Sequence, residues 1–170
     1  MRDGCGDEYF AVFSPIGCII KGFAHESKMS PWATDKKSVW PGVLDAVPSA
    51  FANFLTELAF SMANTTFYLW RIVADSCWSR GGVEFPEGAD PDSSEELLWM
   101  LDGDPLTYWD FAQNYYERSV NLSAVSRIYK QMPLTRKLVA ALNPEIDWSV
   151  LIKDALEIGY PVKIKPSTYE

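Results

Sequence analysis

The segment GFAHESKMSPW, residues 22–32, holds the only histidine of the chain, His25, followed by the carboxylate of Glu26 and the hydroxyl of Ser27. Histidine is the side chain that most readily moves protons near neutral pH, so acid–base chemistry is the first possibility to test. A catalytic triad, however, needs the imidazole between nucleophile and carboxylate in space. Strand alternation sends His25 and Glu26 to opposite faces. The segment therefore predicts the end of a β-hairpin, with a local hydrogen bond on His25.

Other motifs for catalysis or metal binding are absent from the sequence. It contains no GxSxG elbow, no HExxH pair and no glycine-rich phosphate loop. Cys5, Cys18 and Cys77 are scattered, and a structural zinc site would need all three together with His25. Buried or half-buried thiols are the simpler interpretation, and their role stays open. We predict no catalytic residue, no cofactor and no metal site, which favours a non-enzymatic protein.

The negative charge of the chain is concentrated in residues 82–117. This segment holds ten acids and no Lys, Arg or His, whereas the whole chain nets −8, so the remainder nets +2. An EF-hand beginning at Asp90 is excluded, because Glu95 and Leu101 stand where glycine and glutamate are required. Three interpretations remain: a looser cation site, a solvated face whose acids favour helix N-termini, and an electronegative face that meets a basic partner.

Aromatic residues accompany these acids. Tyr108–Trp109 and Tyr115–Tyr116 are adjacent pairs, and neighbours on a helix diverge by about 100°. Both members of a pair cannot face one narrow stripe. These rings therefore indicate either a wide core face between sheet and helices, or a pocket or interface, where Trp and Tyr are enriched. The candidate binding residues of an acidic, aromatic-rich face are Glu84, Glu87, Asp90, Asp92, Glu95, Trp99, Tyr108 and Trp109.

Strand signals dominate the first half of the chain. The apolar runs 9–13 and 18–23, around the turn Ser14–Gly17, predict one antiparallel hairpin, and residues 65–73 with 77–85 predict a second. Between them, the apolar spacing after Pro48 predicts a helix over Pro48–Leu58.

Helix signals dominate from residue 92 onward. A capping box, Ser93-x-x-Glu96, opens the first predicted helix. Further caps are expected at Asp104, Asn121, Thr135 and Asp147, and the tail 159–170 is expected to be extended. Strands followed by helices predict an α+β fold. We expect a single domain over residues 1–170, with an antiparallel sheet from two hairpins and a mainly helical C-terminal half.

A small-molecule-binding protein or enzyme is the alternative from another class. Its aromatic pocket would have His25 and Glu26 at the rim and would be lined by Trp32, Trp40, Trp70 and Trp78.

Composition limits the compartment and the partners. The N-terminus lacks the pattern of a signal peptide and no apolar run could span a bilayer, so a cytoplasmic protein without membrane contact is expected. Nucleic acid would require bases stacked beside Lys or Arg, which the acidic balance disfavours. The oligomeric state stays open.

The segment VPSAFANFL, residues 47–55, resembles the helix opening of the SMI1/KNR4-like bacterial immunity proteins, although TELAF follows where that family has a glycine-rich turn. The stretches WPGVLDAVPSAFANFL and LDGDPLTYWDFAQNYYE resemble small bacterial proteins without an assigned function. The first resemblance implies a small cytoplasmic α+β protein that binds and neutralises a toxin, and it transfers no functional residue. Together with the acidic face, it predicts a non-enzymatic protein-binding module whose partner is a protein with a basic surface.

Overall fold

The computed structural model describes residues 1–2 and 4–163. These residues divide into two compact units, the first ending at Trp99 and the second beginning at Met100. The first unit contains a four-stranded antiparallel sheet, and the second is built from helices. The predicted α+β class, with two hairpins and a mainly helical C-terminal half, is confirmed. That residues 1–170 form a single domain stays a prediction.

The sheet has the strand order β1-β2-β3-β4. Its strands are β1 (Glu8–Phe13), β2 (Gly17–Phe23), β3 (Phe67–Ile72) and β4 (Ser79–Arg80). Ser14 and Gly17 exchange two backbone hydrogen bonds of 2.9 and 3.2 Å, which close the first hairpin at the predicted turn. β4 is shorter than the predicted 77–85, because the chain turns away at Gly81. A Cβ there would lie 1.9 Å from the carbonyl oxygen of Gly42.

Apolar side chains cover both faces of the sheet. One face buries Ile19, Tyr68 and Trp70 against Met29, Val43 and Phe51 from the long connection between β2 and β3. The other face buries Ile20 and Phe67 against Leu97. The sheet is therefore the middle layer of the first unit.

The helix predicted over Pro48–Leu58 is broken into three pieces. A 3₁₀ turn at Ser49–Phe51 leads into the short helix α1 (Ala52–Leu55), and a second 3₁₀ turn follows at Leu58–Phe60. The Thr56 hydroxyl donates to the Asn53 carbonyl at 3.0 Å, and the next residue is extended. The Thr56 hydroxyl and the Glu57 carboxylate, which accepts from the backbone N–H of Ala59 at 3.0 Å, thus both bond backbone groups where the helix ends.

A lysine lies inside the sheet. Lys21 is fully buried on β2, directly opposite Phe10 of β1 and Tyr68 of β3. Its Nζ lies 3.3 Å from Glu8 Oε1 and 5.7 and 5.8 Å from the ring centroids of Phe10 and Phe23. Burial lowers the pKa of Lys21, and the Glu8 carboxylate opposes this shift. The apolar run CIIKGF gives no sequence signal for this ion pair.

The C-terminal helices begin at the predicted caps. The helices after α1 are α2 (Ser94–Leu98), α3 (Pro105–Tyr115), α4 (Leu122–Tyr129), α5 (Arg136–Leu142) and α6 (Trp148–Glu157). Asp104, Asn121, Thr135 and Asp147 each accept a backbone hydrogen bond from the first turn of α3, α4, α5 and α6, respectively. The Ser93 capping box does not form, since Ser93 makes no side-chain cap bond.

The helical unit has its own core, in which Leu134, Leu138, Val139, Ala124 and Ala155 are buried. Leu134 also bridges to Val162, which lies in the predicted extended tail, while residues 164–170 lie outside the described part of the chain. No helix in the described ranges combines the length and the apolar content that crossing a bilayer requires.

The Lys21 ion pair can be tested by removing one charge or both. We expect Glu8→Gln to lower the free energy of unfolding by about 3 kcal/mol, because it leaves a buried ammonium without its carboxylate. Adding Lys21→Met should recover most of that loss. Urea denaturation at pH 7 measures both changes. The exposed Glu26→Gln is the matched control, with an expected effect below about 0.5 kcal/mol. Equal stabilities of the single and double variants would contradict the assigned ion pair.

The buried hydroxyl of Tyr68 predicts a specific loss of stability in alkali. Burial raises the pKa of Tyr68 to about 12, and its hydroxyl has no hydrogen-bond partner among the described residues. In the unfolded chain it titrates near 10. The contribution of the protonated hydroxyl to the free energy of unfolding is therefore fully present below pH 10. It is lost as the pH rises toward 12.

Relative to Tyr68→Phe, we expect the wild type to lose about 2–3 kcal/mol of unfolding free energy over that pH range. At pH 7 the variant should be at least as stable, because it removes an unsatisfied buried hydroxyl. Urea unfolding at pH 7, 10 and 11.5 measures both effects. Parallel pH profiles of the two proteins would contradict the assignment.

Candidate functional site

The predicted acidic, aromatic-rich face is divided between the two units. Glu84, Glu87 and Glu95 belong to the first unit, where Trp99 is 47% exposed. Tyr108 and Trp109 belong to α3 of the helical unit and are half-buried. Each unit therefore carries part of the proposed binding residues.

Two of the predicted binding residues begin α2. Asp92 Oδ1 accepts from the backbone N–H of Ser94 at 3.0 Å, and Asp90 Oδ2 accepts from that of Glu96 at 2.9 Å. Asp92 is buried, and this burial, with a further contribution from the nearby Asp90 carboxyl, raises the pKa of Asp92. Both carboxylates are thus committed to the start of the helix.

The acids at the start of α3 also accept hydrogen bonds from groups in the first turn of their helix and just before it. Asp102 accepts from the Thr107 hydroxyl at 2.6 Å and from the Asp104 backbone at 2.8 Å, and these bonds lower the pKa of Asp102. Asp104 in turn accepts from the backbone of Leu106 at 2.9 Å. The interpretation of these acids as helix-start residues is supported here, as at α2.

The acids of residues 82–117 make no ion pair with any residue that the structure describes. Between described residues, the ion pairs are those of Arg2 and Lys21 with Glu8 and those of His25 with Asp7 and Glu26. Hydrogen bonds to the backbone satisfy individual oxygens of this segment. The Lys28 ammonium donates to the Glu87 carbonyl at 2.7 Å, so one cation lies against the segment without an ion pair to its carboxylates. A group of three or more His, Cys, Asp and Glu arranged for a metal ion is also not found in the described ranges.

The aromatic side chains of α3 differ in exposure. The Trp109 indole N–H donates to the carbonyl of Val120 at 2.7 Å, which holds its ring against the start of α4. The Tyr108 ring lies 6.4 Å from the Tyr129 ring. Tyr115 and Tyr116 are 68% and 50% exposed and meet edge to face, with centroids 5.1 Å apart. The adjacent pairs thus place rings both inside the helical unit and on its surface.

A cavity of about 420 Å³ lies among α3, α4 and the C-terminal end of α5. Its buried floor is formed by Ala112 and Val125, and its exposed rim by Tyr116, Arg118 and Tyr129. The other lining residues are Tyr108, Val120, Ile128, Leu142 and Asn143. This size and mostly apolar lining are typical of small-molecule sites.

The polar groups of the cavity are tyrosine hydroxyls, one amide and one guanidinium. Burial raises the pKa of Tyr108 and of Tyr129, and the Asp102 and Asp104 carboxylates contribute to the shift at Tyr129. Both hydroxyls keep their protons at physiological pH, and the hydroxyl of Tyr108 is hydrogen-bonded to that of Tyr116. Arg118 Cζ lies 5.5 Å from the ring centroid of Tyr116.

Sequence reasoning named Tyr116 among the rings that suit a pocket or an interface, but it did not assign Arg118 or Tyr129 to a site. One signal was present, because Arg118 is the first basic residue after the acid-only segment and directly follows Tyr115, Tyr116 and Glu117. The convergence of α3, α4 and α5 on one space, however, could not be read from the spacing of residues along each helix.

His25 lies just after β2 and is bound to Asp7. Its backbone N–H donates to Asp7 Oδ1 at 2.8 Å, and its ring Nδ1 lies 2.6 Å from the same oxygen. The ring Nε2 lies 3.6 Å from Glu26, whose side chain is 89% exposed. The Ser27 hydroxyl donates to the carbonyl of Pro91 at 2.8 Å. The Ser27 proton is thus engaged with the backbone, and the expected hydrogen bond on His25 is present.

The tryptophans of the alternative pocket have different surroundings. Trp70 is buried in the sheet core, and Trp40 is half-buried and donates to the carbonyl of Glu84 at 3.0 Å. Trp32 is 57% exposed and donates to Asn64 at 3.1 Å, whereas Trp78 is 41% exposed. That these four rings and His25 line one pocket stays a prediction.

The cysteines are more exposed than expected. Cys5 and Cys77 are exposed, and Cys18 is half-buried. The expectation of buried or half-buried thiols holds for Cys18 alone.

Comparison with protein-family models, with curated protein sequences and with solved structures gave no match. The resemblance of residues 47–55 to immunity proteins stays a prediction.

The role of His25 can be tested by truncation. We expect His25→Ala to lower the free energy of unfolding by about 1 kcal/mol, because the ring contact with Asp7 is lost while the backbone bond remains. Urea denaturation at pH 7 measures this change, with His25→Asn as a control that can still hydrogen-bond Asp7. A loss above about 3 kcal/mol, or no loss at all, would contradict a purely local role.

Proposed function

We propose that this protein is a non-enzymatic, cytoplasmic binding module whose partner is a protein with a basic surface. The supporting observation is the charge of residues 82–117, which no cation among the described residues compensates through an ion pair. Carboxylates that make no ion pair steer cationic surfaces toward the protein and repel the phosphates of nucleic acids.

The helical unit offers the aromatic contacts that such a partner needs. Tyr115 and Tyr116 are exposed at the C-terminal end of α3, between the exposed acids Asp110 and Glu117. Tyrosines dominate many protein interfaces because they supply a large contact area with few rotatable bonds. This surface combines an anchor for apolar side chains with charges that select Lys and Arg.

The first unit carries the same combination of residue types. Glu84, Glu87 and Glu95 lie there, and Trp99 presents part of its indole to solvent. Neutralisation of a basic toxin is one form of this proposed function, in keeping with the resemblance of residues 47–55 to immunity proteins.

Selection from a random peptide library, displayed against the full chain, tests this function and does not require an identified partner. We expect enriched peptides to combine Lys or Arg with an aromatic or aliphatic residue. Their affinity should fall as the salt concentration rises, because exposed charges are screened. Titration of a synthetic version of the best peptide gives the dissociation constant.

A matched pair of double variants separates local charge from net charge. Asp110→Asn with Glu117→Gln should weaken the selected peptide about tenfold, whereas Asp154→Asn with Glu157→Gln on α6 should leave its affinity within about twofold. Tyr115→Ala should also weaken binding. Enrichment of acidic or neutral peptides, or equal effects of the two double variants, would contradict the proposed function.

A further inference from the structure

Arg118 is a basic residue that directly follows the acidic segment, residues 82–117. It follows a segment of ten acids, yet its guanidinium makes no ion pair with any residue in the described ranges. It lies instead over the ring of Tyr116, with Cζ 5.5 Å from the centroid, at the exposed rim of the 420 Å³ cavity. A guanidinium held against an aromatic face keeps its planar fork of donors available for a carboxylate.

The interior of the same cavity is apolar. Ala112 and Val125 are buried at its floor, and Ile128 and Leu142 add aliphatic surface. Arg118 is the only charged side chain among the described lining residues. A molecule that fills this space therefore needs an apolar body. If it also carries an anionic group at the rim, that group meets the Arg118 guanidinium.

Tyrosine hydroxyls add hydrogen-bonding capacity at the rim. Tyr116 and Tyr129 border the opening together with Arg118. The pKa of Tyr129 is raised by burial and by nearby carboxylates, so its hydroxyl stays protonated and can donate to an anionic oxygen. Tyrosine hydroxyls and a guanidinium thus border an apolar space, and the Asp102 and Asp104 carboxylates lie outside its lining but close enough to act on Tyr129.

We propose that this cavity binds a small amphipathic carboxylic acid, with its hydrocarbon part on Ala112 and Val125 and its carboxylate on Arg118. The fork of guanidinium N–H groups matches the two oxygens of a carboxylate. This site shares Tyr116 with the proposed protein interface, but its ligand enters the interior of the helical unit and carries the opposite charge.

Two matched pairs of compounds test the proposal on the full chain: octanoate with octanamide, and 2-naphthoate with 2-naphthamide. Isothermal titration gives the affinities, and methyl resonances of Ala112, Val125, Ile128 and Leu142 report where the compounds bind. We expect at least one carboxylate to bind and shift these resonances, and its amide to bind about tenfold more weakly or worse. The aliphatic and aromatic pairs show which body shape the cavity prefers.

Arg118→Gln should remove the preference for the carboxylate and leave the amide affinity within about twofold. Arg136→Gln is the matched control, since Arg136 also stacks on an aromatic ring, Trp148, at 5.1 Å, but does not line the cavity. Ile128→Phe should narrow the cavity and weaken both members of a pair, and a thermal unfolding scan verifies that this variant folds.

Three results would overturn the proposal: equal affinities of acid and amide, equal effects of the two arginine variants, or no methyl shift with any compound. None of them affects the peptide selection, so failure of this site is distinguishable from failure of the proposed protein interface.

Discussion

Burial of the Lys21 ammonium in an otherwise apolar strand is the constraint on which the sheet of the first unit depends. An ammonium removed from water without a partner costs several kcal/mol, so β2 can be buried only where a carboxylate reaches it. Glu8 meets that condition in a register that places Phe10 opposite Lys21. A shift of β1 by one residue would turn the side chains of Glu8 and Phe10 to the other face of the sheet. The ion pair and the apolar core therefore select the same strand pairing.

In residues 82–117 several of the charged side chains bond to backbone groups, unlike Lys21 and Glu8, which form an ion pair. Asp90, Asp92 and Asp104 accept hydrogen bonds from the first turns of α2 and α3, where the helix dipole favours a negative charge. These bonds satisfy the backbone locally, while the carboxylates make no ion pair with any described residue. The residues that start the helices thus also contribute to the negative electrostatic potential of the segment. Arg118 is the contrast, because an aromatic ring rather than a carboxylate holds it at the rim of the cavity.

Local signals predicted the elements well wherever a few neighbouring residues decide the conformation. Asp104 and Asp147 cap their helices as expected, because a cap involves only the next two or three residues. The same logic failed at Ser93, which adopts φ 58° and leaves the backbone donors to Asp90 and Asp92. It also failed after Leu55, where side-chain bonding by Thr56 ended a helix that apolar spacing would have continued.

The sequence alone determined the order of strands and helices, the first hairpin turn, four of the helix starts and the acidic segment, since each depends on residues close together in the chain. The tertiary structure decided that Lys21 would be buried beside Glu8 and that His25 would bind Asp7. It also decided that Tyr116 and Arg118 would border one cavity. Those contacts follow from how whole elements pack, and the burial of a side chain is fixed only when distant segments meet.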